Sequence, residues 1–143
     1  MSILDQIYCI AYIWLTIYMY RRIYYCMNMT PETLIKSLSD QTRLRSLMLL
    51  MQEGELCVCE LTYSLDLIQP KISRHLASLR DMQVVIDKRV GQWIYYSINP
   101  KLPVWAKELL QAALKGSIDE EQYKSDLKKL KNMPNRPKNK ICA

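Results

Sequence analysis

Residues 55–85 read ELCVCELTYSLDLIQPKISRHLASLRDMQVV, and they contain two apolar patterns with helical spacing. Leu61 and Leu65 lie four residues apart, which predicts a short helix over 58–65. A tight turn follows, and Pro70 suits the first turn of a second helix that ends near Met82. Two helices joined by a short turn are typical of a helix-turn-helix motif.

The second of these helices has an apolar face and a polar face. Ile72, Leu76 and Leu79 recur at helical spacing, so they are expected to face the core. In a helix-turn-helix the second helix enters the major groove of DNA, where side chains near its N-terminus reach base edges. A solvated charged face is the alternative interpretation. The predicted DNA contacts are Gln69, Lys71, Ser73, Arg74 and His75. As the only histidine in the chain, the last of these could instead cap or pack.

Two helices are predicted before this motif. Pro31 begins the first, and Ser39-Asp40 can cap a second that ends at Gly54. After the motif, residues 84–86 and 93–98 are rich in β-branched and aromatic side chains, as strands are. Residues 89–92 contain the glycine that a hairpin turn requires. The polar side chains expected to touch the DNA backbone or minor groove near this tip are Lys88, Arg89 and Gln92.

The C-terminal part is predicted to contain two more helices. One spans Pro103 to Leu114, and Ser117 to Glu120 resembles a capping box for the next. From Asn132 onward the sequence predicts a disordered tail. The order of elements predicts a mainly α protein with a β-hairpin wing, a winged helix-turn-helix.

Composition limits the class of protein. A chain of 143 residues suits one domain, and most of its net charge of +6 lies from Lys115 onward. Five cysteines are an odd number, which favours free thiols in a reducing cytoplasm over a disulfide framework. With a single histidine and no glycine-rich phosphate loop, the sequence offers no support for an enzyme.

The N-terminal segment does not fit the domain. Ile7 to Tyr20 is almost entirely apolar, yet its fourteen residues fall short of the roughly 20 that a membrane span needs. We favour a start at Met27 or Met29 with a mis-assigned upstream extension, and membrane association is the alternative. We therefore divide the chain into an extension (1–28), a DNA-binding domain (29–116), and a basic C-terminal helix with its tail (117–143).

Cys57 and Cys59 form a candidate soft-ligand site. In a regular helix residues two apart point in different directions, so both thiols converge only if Cys57 is extended and precedes the helix. A helix N-terminus also lowers a thiol pKa, which favours the thiolate that binds soft ions. Two small buried residues are the alternative interpretation.

Together, Glu55 to Leu61, Gln69 to Leu76 and Gly91 to Tyr96 resemble the ArsR/SmtB family of repressors. The resemblance implies a homodimer that binds operator DNA in the cytoplasm and leaves it when trivalent arsenite or antimonite binds Cys57 and Cys59. It implies no required cofactor. Many members carry a third cysteine where this chain has Thr62, so another thiol or a water would have to complete the site. The histidines of the family's zinc-type site on the last helix are missing.

A second functional class remains open. The same two cysteines could act as a redox-responsive dithiol on a DNA-binding scaffold, although a disulfide between residues two apart closes a strained ring. Release of DNA by arsenite or by peroxide distinguishes the two hypotheses.

Overall fold

Six helices and a small sheet make up the main described part of the chain. The computed structural model describes residues 12–17, which are helical and exposed, and residues 29–137. The helices of the second range are α1 (Pro31–Leu38), α2 (Gln41–Glu53), α3 (Val58–Leu65), α4 (Gln69–Asp81), α5 (Val104–Ser117) and α6 (Glu121–Lys131). The strands are β1 (Glu55–Cys57), β2 (Val85–Val90) and β3 (Trp93–Ile98). This mainly helical winged helix-turn-helix is the predicted fold.

Local capping explains where the first helices begin and end. The Asp40 carboxylate accepts the backbone N–H of Arg43 at 2.9 Å and so begins α2. Gly54 ends that helix at φ +83°, a backbone conformation that favours glycine. The predicted bounds of α3 are confirmed, and its C-cap Asp66 is left-handed at φ +57°.

The sheet is antiparallel in the order β1-β3-β2, and β2 and β3 form the wing. Arg89 pairs with Ile94 and Val90 pairs with Trp93, so both belong to the strand and the prediction that they lie in the turn is wrong. The β2–β3 pairing leaves only Gly91 and Gln92 in the turn. Gly91 supplies the positive φ of +61° that a two-residue hairpin turn needs. The extended geometry expected for Cys57 is confirmed, and the pairing of β1 with β3 was not predicted.

The core lies between the helices and the inner face of the sheet. The helix-turn-helix contributes fully buried leucines and isoleucine from both of its helices, as the apolar spacing predicts. These are Leu61, Leu65, Ile72, Leu76 and Leu79. α3 and α4 therefore pack against each other within one cluster.

The boundary between the last two helices differs from the prediction. The Ser117 hydroxyl donates to the Ala113 carbonyl at 2.9 Å, so Ser117 ends α5 and does not cap α6. Glu120 occupies the N-cap of α6 without a side-chain cap hydrogen bond. The capping box predicted over 117–120 is therefore wrong, because the hydroxyl bonds backward into its own helix.

The C-terminal helix belongs to the same core as the domain before it. Tyr123 and Leu130 are buried in the core cluster. Asp126, 1 % exposed, receives both Arg45 Nε and Nη2 at 2.8 Å, and Ser64 donates to its carbonyl at 2.6 Å. These contacts fix α6 across α3.

The chain after α6 is ordered as far as it is described. Arg136 is only 8 % exposed, and Pro137 is also buried. The expected disorder from Asn132 is therefore wrong for residues 132–137, because an ion pair and a buried proline hold them on the domain. Residues 138–143 lie outside the described part.

Within residues 12–17 and 29–137, no helix is both long enough and apolar enough to cross a membrane. Most of the apolar segment predicted over 7–20 lies outside the described residues.

Candidate thiol site and DNA-binding surface

The N-terminal half of α4 presents polar side chains beside its buried apolar face. Gln69 and Arg74 are exposed, and Lys71 and Ser73 are half-buried. Pro70 occupies the first turn, where its missing N–H costs nothing. Four of the five side chains predicted for the DNA contact thus occupy the accessible part of one helix.

His75 lies apart from this group. Its Nδ1 is 3.6 Å from the Asp40 carboxylate at the start of α2, and its side chain is only 16 % exposed. Burial raises the pKa of Asp40, but the N–H of Arg43 and the charges of His75 and Arg43 outweigh it, so the net direction is downward. The geometry fits the capping and packing alternative for His75.

The wing carries the other three predicted DNA contacts near its tip. Lys88, Arg89 and Gln92 are all exposed. Lys88 pairs with Glu55 of β1 at 3.0 Å, and the Arg89 Nε donates to the Gly91 carbonyl at 3.1 Å. The lysine can exchange its partner for a phosphate at low cost, because exposed ion pairs contribute little.

The two cysteines converge as the spacing argument requires. Cys57 is extended at φ −82° and ψ 164°, ends β1 and forms the N-cap of α3, whereas Cys59 lies in the first turn. Their Cα atoms are 5.5 Å apart and their sulfur atoms are joined as a disulfide. Cys57 is buried at 1 % exposure and Cys59 is half-buried.

Glu60 contacts both the cysteine pair and the C-terminal segment. Its Oε2 accepts the backbone N–H of Cys57 at 2.7 Å, which completes a capping box. Its Oε1 accepts the Arg136 Nε at 2.6 Å, and the same guanidinium reaches Glu53 at 3.0 Å. The side chain of Glu60 is fully buried, and a buried carboxylate needs a charged partner. The guanidinium of Arg136 provides that partner.

This arrangement was missed by sequence reasoning. The position of Glu60, three residues after the N-cap, is a signal for a capping box that could have been recognised. Arg136 gave no such signal, because it lies 76 residues from Glu60, in a segment whose composition is typical of disordered chains. Burial lowers the pKa of Arg136, but its hydrogen bonds to Glu60 and Glu53 outweigh that effect and raise the pKa overall.

Tyr95 lies beside the thiol pair. It is the register partner of Cys57, so the two side chains project from the same face of the sheet. Its buried hydroxyl has no hydrogen-bond partner among the described residues. Burial raises the pKa of Tyr95, and the nearby charges of Glu60 and Glu55 raise it further.

Thr62 occupies the position one turn after Cys59. Its hydroxyl donates to the Val58 carbonyl at 2.8 Å, within its own helix. Across the residues that the structure describes, no three His, Cys, Asp or Glu side chains are grouped so that they could hold a metal ion. Among the described residues, the candidate site therefore consists of the two cysteine sulfur atoms.

Comparisons with known proteins identify the family to which this fold belongs. Residues 40–87, from the N-cap of α2 into the wing, match the family model "Bacterial regulatory protein, arsR family". The arsenic resistance transcriptional regulator ArsR1 of Pseudomonas putida is 47 % identical over 118 residues, which are 80 % of this chain and 89 % of that protein. ArsR2 of the same organism is 48 % identical over 116 residues, 80 % of this chain and 98 % of the relative.

The chain belongs to the ArsR family. A solved structure of the antimony-specific transcriptional repressor AntR is 30 % identical, with a TM-score of 0.50 over 57 % of this chain and 71 % of that one. ArsR-family proteins are regulators that carry a helix-turn-helix, so this chain is a transcriptional regulator and not an enzyme. Both the predicted family and the predicted functional class are confirmed.

Proposed function

We propose that this ArsR-family chain represses an arsenic-resistance operon as a homodimer and leaves its operator when trivalent arsenite or antimonite binds Cys57 and Cys59. The observation that carries the proposal is the convergence of the two sulfur atoms at the start of α3. Two relatives named for arsenic resistance and a structural neighbour named for antimony support the choice of inducer.

The DNA-binding surface proposed for this function consists of α4 and the wing. Exposed Gln69 and Arg74 suit bidentate contacts with base edges, whereas Lys71 and Ser73 suit phosphates. The wing side chains at positions 88, 89 and 92 would touch the backbone or minor groove. We assign His75 to packing against Asp40, in view of their 3.6 Å contact.

The coupling between inducer and DNA follows from shared packing. An ion held by both sulfurs pulls on the backbone between β1 and the first turn of α3. Because α3 shares its buried leucines with α4, a displaced α3 tilts α4 out of the groove. The coupling needs only about 1–3 kcal/mol, or roughly 5- to 150-fold in operator affinity.

The test is operator release under reducing conditions, followed against arsenite concentration. Cys57→Ser and Cys59→Ser should bind the operator normally and ignore arsenite, whereas the matched control Cys26→Ser should respond like the wild type. Release of both serine variants at the wild-type arsenite concentration would place the sensor elsewhere.

A second candidate function is favoured by the disulfide between the same residues. Hydrogen peroxide would take two electrons and two protons from the Cys57 and Cys59 thiols, forming the disulfide and two waters. Peroxide should then release the operator and a dithiol reductant should restore binding. Release by arsenite at constant reducing potential, with no effect of peroxide, would reject this alternative.

A further inference from the structure

Cys57 and Tyr95 lie on the face of the sheet that is turned away from the main core. The adjacent pair of β1 and β3 is formed by Leu56 and Tyr96, which both belong to the core cluster. Because side chains alternate along a strand, Cys57 and its partner Tyr95 project from the opposite face. These two residues are still only 1 % and 3 % exposed. The second face of the sheet is therefore also buried where it carries the thiol.

The Tyr95 hydroxyl is a polar group without a partner in this buried environment. It makes no hydrogen bond among the described residues. Side chains directly opposite each other in an antiparallel pair have Cβ atoms about 4.5–5.5 Å apart, so a group bound to the Cys57 sulfur lies beside the tyrosine. Burial raises the pKa of Tyr95, and the hydroxyl therefore keeps its proton at neutral pH and can donate it to a ligand.

Two other polar side chains near the thiol pair already have partners. The Thr62 hydroxyl donates to a backbone carbonyl of its own helix at 2.8 Å. The Glu60 carboxylate accepts the Cys57 N–H and the Arg136 Nε. Since these bonds satisfy a fully buried charge, breaking one of them for a ligand would be costly. Of these three side chains, Tyr95 is the one that gains a bond when a polar ligand enters.

Arsenite bound by two thiolates keeps one oxygen. It is As(OH)₃ and exchanges one hydroxide for each thiolate. The Cys57 and Cys59 thiols give their protons to the departing hydroxides, two As–S bonds replace two As–O bonds, and two waters leave. Arsenic stays trivalent, so no oxidant is needed. The remaining As–OH is a polar group in a buried site, and it is unfavourable there without a hydrogen-bond partner.

We propose that the Tyr95 hydroxyl forms a hydrogen bond with the oxygen that arsenic retains, and so makes the site selective for arsenite over trivalent arsenicals in which carbon replaces that oxygen. This inference rests on the proposed function and adds to it a residue that selects the inducer. A site that forms a hydrogen bond with a ligand hydroxyl discriminates against the analogue that lacks the hydroxyl, because its own polar group is then left unpaired. The hydrogen bond also allows a two-sulfur site to hold arsenite without a thiol at position 62.

The experiment compares arsenite with methylarsonous acid, CH₃As(OH)₂, on the reduced full chain. Both compounds exchange two hydroxides for two thiolates, but the second then carries a methyl group of similar size where arsenite carries its hydroxyl. Operator release is measured against the concentration of each compound for the wild type, Tyr95→Phe and the control Tyr96→Phe. The control removes the same atom from the neighbouring residue, which projects into the core.

The Tyr95→Phe variant should separate the two compounds. Its arsenite midpoint should rise by roughly tenfold, the effect of about one lost hydrogen bond, while its midpoint with methylarsonous acid should match the wild type. A normal response to methylarsonous acid also shows that the variant is folded and binds the operator. In Tyr96→Phe the ratio of the two midpoints should equal the wild-type ratio.

Three results would overturn the inference. Both midpoints of Tyr95→Phe are unchanged, both rise by the same factor, or Tyr96→Phe changes their ratio as much as Tyr95→Phe does. A common factor for both compounds would indicate a change in packing, because the loss of a bond to the arsenic-bound oxygen affects arsenite alone.

Failure of this inference can be distinguished from failure of the proposed function. If Cys57→Ser ignores both arsenicals while Tyr95→Phe keeps the wild-type ratio, the sensor stands and only the role of Tyr95 is wrong. If Cys57→Ser still responds to both, the proposed sensor itself fails.

Discussion

Cys57 and Tyr95 face each other across the antiparallel pair of β1 and β3 and project from the same face of the sheet. The Cys57 sulfur belongs to the disulfide, whereas the tyrosine hydroxyl is buried without a hydrogen-bond partner among the described residues. The strand that pairs with β1 therefore carries a polar group in an unfavourable environment beside the proposed sensor.

Replacing Tyr95 by phenylalanine should therefore stabilise the fold. A buried polar group without a partner costs about 1–3 kcal/mol, so Tyr95→Phe should raise the free energy of unfolding by up to about 1 kcal/mol, after the loss of the packing contacts of the hydroxyl oxygen. Urea denaturation at one fixed protein concentration measures the difference. A clear decrease in stability would show that the hydroxyl makes a bond that the structure does not contain.

The same variant should change the response to alkali. The pKa of Tyr95 is raised in the folded protein, mainly by burial, above its ordinary value of 10.0. The folded state therefore keeps a proton that the unfolded state loses, and stability falls as the pH rises above about 10. Tyr95→Phe should make this fall shallower, as measured by unfolding at pH values on both sides of 10.

The Arg45–Asp126 ion pair should be a major support for α6. Both of its N···O distances are 2.8 Å, and the Asp126 side chain is almost fully buried. Asp126→Ala leaves a guanidinium without its partner, so the free energy of unfolding should fall by about 3–5 kcal/mol. Lys129→Ala is the matched control, because its pair with Asp66 is exposed and should contribute about 0–1 kcal/mol. Equal effects of the two substitutions would contradict this assignment.

The Arg45–Asp126 and Arg136–Glu60 ion pairs show what could and could not be predicted from the sequence. The bounds of α3 and the extended Cys57 follow from neighbouring residues, because capping and helical spacing are local. Asp126 and Arg136 have partners 81 and 76 residues away, and no local rule selects those partners from the other charged residues. The prediction of disorder after Asn132 was wrong for the same reason, since composition cannot show that Arg136 pairs with the buried carboxylate of Glu60.

Substitutions on α4 should separate base contacts from phosphate contacts. Arg74 is exposed near the helix start, so Arg74→Ala should cost about 1–3 kcal/mol in operator affinity and relax specificity at one base pair. Lys71→Ala should weaken binding to all sequences and reduce the slope of log affinity against log salt concentration by about 1. Fluorescence anisotropy with the operator and a scrambled duplex at several salt concentrations provides both quantities. Unchanged operator affinity of a folded Arg74→Ala variant would show that α4 is not the helix that contacts the bases.

The first 28 residues should be dispensable for DNA binding. Every element of the winged helix-turn-helix lies after Met29, so a chain lacking residues 1–28 should form a folded dimer that binds the operator with wild-type affinity. Sedimentation and operator titration test this result. Loss of either property would show that the tyrosine-rich segment belongs to the functional unit.

A thiol introduced at position 62 should strengthen the response to arsenite. Thr62 lies three residues after Cys59 on α3, so the two side chains share a helix face. Thr62→Cys should lower the arsenite concentration for half-release, because it adds a third thiolate that is already held on a rigid helix. Thr62→Ser is the control, since it keeps a hydroxyl able to donate to the Val58 carbonyl and adds no sulfur. If the serine and cysteine variants shift the midpoint equally, a change in helix packing and not arsenic–sulfur bonding is responsible.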